Sequence, residues 1–212
     1  MTTERFKVIA LTGGPCGGKS TSLERLKKDL KENGYEVYTV PETCLLLHGC
    51  GSVFPGFDEE KRTELFEYEA NLLQLLINLE RAIFNAAKFS RKRAVVICDR
   101  GAVDIKAYLP EDGELWNQLL LKVGTTEKEL IDRYDLVIHL TTAAKGAETF
   151  YTTENNVSRR ETIEEARALD TKTLRVWKDH PRLLVALNTE GGFEAKLNFL
   201  SQEVLSYLQS NV

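Results

Sequence analysis

Short apolar runs recur along the chain at 6–12, 36–40, 94–98, 136–140 and 182–187, and each reads as a buried strand. Between them the apolar positions change to helical spacing. Leu23, Leu26 and Leu30 share one face of a helix that ends at Asn33-Gly34. The stretch 58–90 contains neither Pro nor Gly, and Leu65, Leu72, Leu73, Leu76, Leu79, Ile83 and Phe84 follow helical spacing through it. It predicts one long helix, or two nearly collinear ones, with Asp58 as cap and a wide apolar arc buried against a sheet. Shorter helical pieces fall at 103–109, 112–123 and 126–132, broken by Pro110, Gly113 and Gly124. Helices at 162–177 and 193–208 follow. The segment 42–57 reads as a loop in which Leu45-Leu46-Leu47 forms a short docked turn. Strands alternating with helices predict an α/β chain with a mainly parallel five-stranded sheet, helices on both faces and a single domain over 1–212. Ligands of such sheets bind beyond the carboxyl ends of the strands.

That rule draws attention to Gly13-Gly14-Pro15-Cys16-Gly17-Gly18-Lys19-Ser20, which fits the phosphate-loop pattern G-x-x-x-x-G-K-[ST] between the first strand and the first helix. Glycines permit a tight turn whose N–H groups gather round phosphate oxygens, and the following helix, with Thr21 in its first turn, adds the positive end of its dipole. Lys19 is placed to reach the β- and γ-phosphates and the Ser20 hydroxyl to hold Mg²⁺. The expected ligand is therefore ATP or GTP in a P-loop NTPase three-layer sandwich. The guanine-reading sequence N-K-x-D is absent, which weakens a Ras-like switch without excluding guanine.

Composition adds limits. The 212 residues are 42% hydrophobic and 28% charged, ordinary for one globular domain. A net charge of −4 argues against general nucleic-acid binding, and Arg91-Lys92-Arg93 reads as a solvated helix end. No apolar run approaches a membrane span. Cys16, Cys44, Cys50 and Cys98 form no C-x-x-C pair, and the three histidines lack metal-ligand spacing. Cys44 with Cys50 is the one weak disulfide pairing; reduced thiols imply a cytoplasmic protein.

The strand ends supply further candidates. Asp99 closes the third apolar strand, as a carboxylate near Mg²⁺ would; capping the next helical segment is its alternative role. Asp135 starts its strand, at the opposite edge. Arg100 follows Asp99 and suits an acceptor or its phosphate, or a structural role. Glu42, past the second strand, could accept a proton from an acceptor hydroxyl, or be a loop carboxylate; Asp104 is a weaker candidate. Arg159, Arg160 and Arg167 lie around a polar stretch and a helix start. They read as a lid over about 146–168 that brings cations to a transferring phosphoryl group, with pairing to Glu161, Glu164 and Glu165 as the alternative. Asn188 opens a loop after the fifth strand that would pack on the nucleotide base.

Taken together, Leu11 to Ser20, Val40-Pro41-Glu42-Thr43 and Val96-Ile97-Cys98-Asp99-Arg100-Gly101 resemble the NadR/TRPL-translocation-defect type of P-loop NTPase domain, AAA-like and nucleoside-kinase-like. Gly146-Ala147-Glu148, Phe150-Tyr151, Arg159 and Glu165 to Asp170 resemble it more softly. The resemblance implies a nucleoside-kinase-like fold. It implies phosphate and Mg²⁺ roles for Lys19 and Ser20, an acidic-Arg motif at Asp99-Arg100, and lid arginines at Arg159 and Arg167. The group includes the nicotinamide-riboside kinase domain of NadR and eukaryotic nucleotide-binding regulators of trafficking. The leading expectation is a Mg²⁺-dependent phosphotransferase acting on a small nucleoside-like acceptor. A nucleotide-binding regulator of a protein or membrane partner comes second, and an ATPase subunit of an oligomeric machine third.

Overall fold

The computed structural model describes residues 6–111, 113–151 and 162–210. Strand β1 (Phe6–Thr12) runs through the phosphate loop into helix α1 (Lys19–Glu32). Then come β2 (Glu36–Val40), α2 (Thr43–Gly49), α3 (Arg62–Lys88) and β3 (Ala94–Asp99). The second half holds α4 (Glu114–Val123), α5 (Glu127–Ile131), β4 (Leu136–Leu140), α6 (Ile163–Val176), β5 (Leu183–Ala186) and α7 (Gly192–Ser210). The strands form one sheet in the order β2-β3-β1-β4-β5, with all four pairings parallel.

Alternation of side chains sorts the core into two layers. Val8, Ala10, Val96 and Cys98 face α3, α4 and the buried Trp177; Ile9, Leu11, Val95 and Ile97 face α1 and α7. The result is the expected three-layer sandwich. The stretch 58–90 is one helix, α3, preceded by a 3₁₀ turn at Glu59–Lys61; Asp58 pairs with Lys61 at 3.0 Å rather than capping through its side chain. The segment after β2 is more helical than a loop reading allows, because Leu47 packs on the core while Leu45 and Leu46 remain exposed. The piece at 103–109 is a 3₁₀ helix, Ala102–Tyr108. None of the four cysteines is in a disulfide, so Cys44 and Cys50 are not joined. Among the described residues no helix is long and apolar enough to cross a membrane.

Register decides what meets at the carboxyl edge. Leu11 lies opposite Asp99, Thr12 opposite His139, and Val40 opposite Cys98. The residues just beyond these ends, Glu42, Arg100, Gly13 and Thr141, therefore emerge together. Asp135 sits at the other edge, bonded to Lys7 Nζ and the Val8 N–H.

Candidate functional site at the carboxyl edge of the sheet

The phosphate loop is held by its carbonyl groups. Lys19 Nζ donates to the carbonyls of Gly13 and Gly14 at 3.0 and 2.9 Å, and the Thr142 hydroxyl donates to that of Pro15. The Ala143 N–H donates to the Cys16 carbonyl at 3.0 Å, and Lys196 Nζ to that of Gly17 at 3.3 Å. With these carbonyls taken up by donors, the remaining donors for an anion are loop N–H groups and the start of α1. The loop reaches this shape through left-handed residues at Gly13, Cys16 and Gly18, with φ of 135°, 54° and 85°. A Cβ on Gly13 or Gly17 would collide with the Leu140 carbonyl, so the end of β4 sets how closely the loop packs.

Two braces under the loop come from sequence-distant helices. Asp170 of α6 accepts from the N–H groups of Gly14 and Thr142 at 3.1 and 3.0 Å, from His139 Nε2 at 3.1 Å and from Lys145 Nζ at 2.8 Å. Burial opposes its ionisation, yet the bonds from His139, Lys145 and Thr142 hold its pKa well below the ordinary carboxylate value. Lys196 of α7 also donates to the Thr141 carbonyl at 2.7 Å and to Asn188 Oδ1 at 3.0 Å. Asn188 Nδ2 donates to the carbonyls of Thr142 and Lys145, both at 2.8 Å. The Asn188 side chain thus ties the loop after β5 to the turn after β4. Lys196 lies in none of the sequence motifs, and Asp170 only closes the softly resembling stretch from Glu165, with no role assigned to it there; the folded chain identifies both as braces.

The reacting edge lies on the other flank of Lys19. Lys19 is 8% exposed, and burial, helped by the charge of Arg100, lowers its pKa to about 8. Asp99 is also 8% exposed, and its Oδ1 has no hydrogen-bond partner among the described residues. Burial and the nearby Glu42 raise its pKa, while Lys19 and Arg100 act against that rise. Arg100 adopts a left-handed backbone, φ 73°, which turns its side chain back across the strand ends. Its Nε donates to Glu42 Oε1 at 2.5 Å, its Nη1 reaches the Gly13 carbonyl at 3.4 Å, and its guanidinium lies 5.6 Å from the Tyr108 ring centre. Burial alone would raise the pKa of Glu42, but Arg100 and Lys19 bring it down to about 2.

The remaining candidates separate by place. Ser20 and Thr21 are exposed in the first turn of α1, and Pro15 is buried. Asp104 is occupied by Thr12 Oγ1 at 2.5 Å, Trp177 Nε1 at 2.7 Å and the Gly101 N–H at 3.2 Å, so it props the chain after β3. Arg167 donates to the Ala144 carbonyl at 2.6 Å and to Glu148 at 2.8 Å, which ties α6 to the turn after β4. Arg159 and Arg160 lie outside the described residues, as does most of the expected lid.

A family profile described as an AAA domain matches residues 8–196, from β1 into α7. The chain belongs to this AAA domain family. No curated protein matches its sequence. Among solved structures, thymidylate kinase from Ehrlichia chaffeensis superposes with a TM-score of 0.60 at 17% identity, covering 96% of this chain and 98% of that one. Shikimate kinase from Acinetobacter baumannii, in complex with shikimate, superposes with a TM-score of 0.55 at 16% identity, covering 98% and 96%. The AAA domain therefore has the P-loop fold shared by small-molecule kinases. At these identities the likeness concerns fold alone.

Proposed function

We propose that this domain transfers the γ-phosphoryl group of ATP or GTP to a hydroxyl of a small nucleoside-like acceptor, as a NadR/translocation-defect type of member within its family. The observation that carries this reading is the meeting of Lys19 and Asp99 with the Glu42–Arg100 ion pair at one sheet edge. A protein that only holds a nucleotide needs the first two. The ion pair stands on the flank towards β2 and α2, where a second substrate would be presented in line with the γ-phosphate.

On binding a triphosphate, Lys19 would exchange its two carbonyl partners for β- and γ-phosphate oxygens. Asp99 Oδ1, buried and unpartnered, and the exposed Ser20 hydroxyl are hard oxygen donors of the kind that suits Mg²⁺. Bound there, Mg²⁺ would neutralise charge on the β- and γ-phosphates. Glu42, held near a pKa of about 2, is a weak base but a constant hydrogen-bond acceptor, so its role is to orient the attacking hydroxyl. A loose phosphoryl-transfer transition state asks for position and charge more than for a strong base. Arg100, already beside Glu42, is placed to share the charge of the transferring group. Arg167, with Arg159 and Arg160, would close over the phosphates as the lid; Asn188 would steady the loop expected to meet the base.

Incubation with Mg²⁺, ATP or GTP and a panel of nucleosides, sugars and other hydroxyl compounds tests this directly. Acceptor-dependent loss of nucleotide is expected. Glu42→Ala, which removes the acceptor, should lower acceptor-dependent kcat about 100-fold or more while ATP affinity stays within about threefold. Tight nucleotide binding without turnover on any acceptor would reject the reading in favour of a regulatory nucleotide-binding module.

A further inference from the structure

A groove that phosphoryl transfer does not use lies at the start of β2. This strand is an outer one, paired with β3 alone. The Glu36 N–H donates to the Arg93 carbonyl at 2.8 Å, which fixes how the strand faces. Along a parallel ladder the bonding residues alternate. Glu36, Tyr38 and Val40 therefore turn their main chain to β3, while Val37 and Thr39 turn theirs outwards. Neither Val37 nor Thr39 has a main-chain partner on that outer side among the described residues. Sheets commonly blunt such an edge with a charge, a proline or a bulge in the strand. The one charged residue of β2 is Glu36, and its carboxylate is taken up by the Ser90 hydroxyl.

The groove along this edge has a volume of about 680 Å³. Val37 and Tyr38 line it from the strand, Phe89 from the end of α3, Lys31 from the end of α1, and Arg91 and Lys92 from the turn into β3. Phe89 is 85% exposed, more than any other large apolar side chain described. Lys31, Arg91 and Lys92 are exposed too, and none of them forms an ion pair among the described residues. The whole chain has a net charge of −4, so this cluster of cations runs against its overall sign.

Each feature asks for a different part of one ligand. Outward N–H and C=O groups ask for another extended main chain. Phe89 and Tyr38 offer an apolar seat for a side chain, and the cations ask for carboxylates. A nucleic acid or an anionic membrane would use the cations and leave the strand edge unpaired. We propose that the outer edge of β2 docks an extended acidic segment of a partner protein, which adds a strand to the sheet, seats an apolar side chain on Phe89 and sets its carboxylates against Lys31, Arg91 and Lys92. The groove opens at the amino end of β2, and the phosphate loop lies at the carboxyl edge. Docking therefore needs neither nucleotide nor acceptor, and it stands or falls apart from phosphoryl transfer.

The test uses a short fluorescent peptide that alternates glutamate with valine and carries one phenylalanine, with anisotropy as the readout. Wild type should bind it, and the amides of Val37 and Thr39 should become protected from hydrogen exchange. Arg91→Glu combined with Lys92→Glu, and Phe89→Ser by itself, should each weaken binding about tenfold or more. The same peptide N-methylated along its length keeps its charges and side chains but cannot pair along a strand, and should also bind at least about tenfold more weakly. The substituted positions are exposed, so the variants should melt with the wild type and keep its nucleotide affinity. No binding by wild type, equal binding of the N-methylated peptide, or unprotected Val37 and Thr39 amides would overturn the proposal. So would tighter binding of phosphatidylserine vesicles or of a single-stranded oligonucleotide that the same variants abolish, and so would self-association through this edge that the peptide does not reverse.

Discussion

Lys19 shows how one residue serves two states of a phosphate loop. Without a ligand its ammonium group is buried on two carbonyl oxygens, and burial lowers its pKa from an ordinary 10.5 to about 8. A triphosphate would favour the charged form and raise that pKa. Binding above pH 8 must then take up a proton, so nucleotide affinity should be flat below about pH 8 and fall above it by up to about tenfold per pH unit. Calorimetric titration with a non-hydrolysable ATP analogue between pH 7 and 9.5 checks this, and a constant Kd would refute it. Lys196 is also lowered to about 8 and donates to three groups around the loop, so Lys196→Met provides the control for its share. Lys19→Ala should lower nucleotide affinity at least about tenfold. The chemistry of Lys19 was legible in the sequence because its spacing from Gly13 and Gly18 is set by the backbone of the loop itself. The burial of Glu69 was not: an acidic residue in a helix beginning Arg62-Thr63-Glu64 reads as one more solvated charge, yet it lies 2% exposed on α3.

At the scale of the element, the phosphate loop depends on helices remote in sequence. Asp170 joins α6 to the loop through Gly14, and to the end of β4 through His139 and Thr142. Asp170→Ala would leave His139 Nε2 and two backbone N–H groups without their acceptor and Lys145 with only the Thr171 hydroxyl, and should cost about 3 kcal/mol in urea unfolding. A change below about 0.5 kcal/mol would mean that the brace is redundant. The sign of its pH dependence follows from a folded pKa below the ordinary 3.8. Its contribution is complete above the unfolded value and disappears as pH falls through the lower folded one, so wild type should lose more stability on acidification below pH 4 than Asp170→Asn does. A Cβ at Gly14 would come within 2.7 Å of Asp170 Cβ; Gly14→Ala should therefore weaken nucleotide binding by displacing the loop. The elements themselves were legible from apolar spacing, with errors where local signals were mixed. The apolar Leu45-Leu46-Leu47 run lies among glycines, and whether it coils was settled by Leu47 packing on the core.

For the whole molecule, both tryptophans are buried on the α3 side of the sheet. Trp177 lies under Gly101, meets Tyr134 edge-on at 5.3 Å and donates to Asp104, tying the end of α6 to the chain just after Asp99. Intrinsic fluorescence therefore reports the layer that carries the reacting edge. If the chain unfolds as one unit, fluorescence and helical circular dichroism should follow the same urea curve, and separated curves would divide it into two.

Sequence alone determined the five strands and the main helices in their order, the phosphate loop and the residues that end the strands. Those properties are local: apolar periodicity chooses strand or helix, and glycine spacing shapes a turn. Only the tertiary structure decided the strand order β2-β3-β1-β4-β5, and with it the meeting of Glu42, Lys19, Asp99 and Arg100. It also decided which polar residues are used up inside, as Asp104 and Asp170 are, and which are buried with an atom to spare, as Glu69 is. Partnership across the chain depends on register and packing, and an amino acid's type carries no record of what lies opposite it.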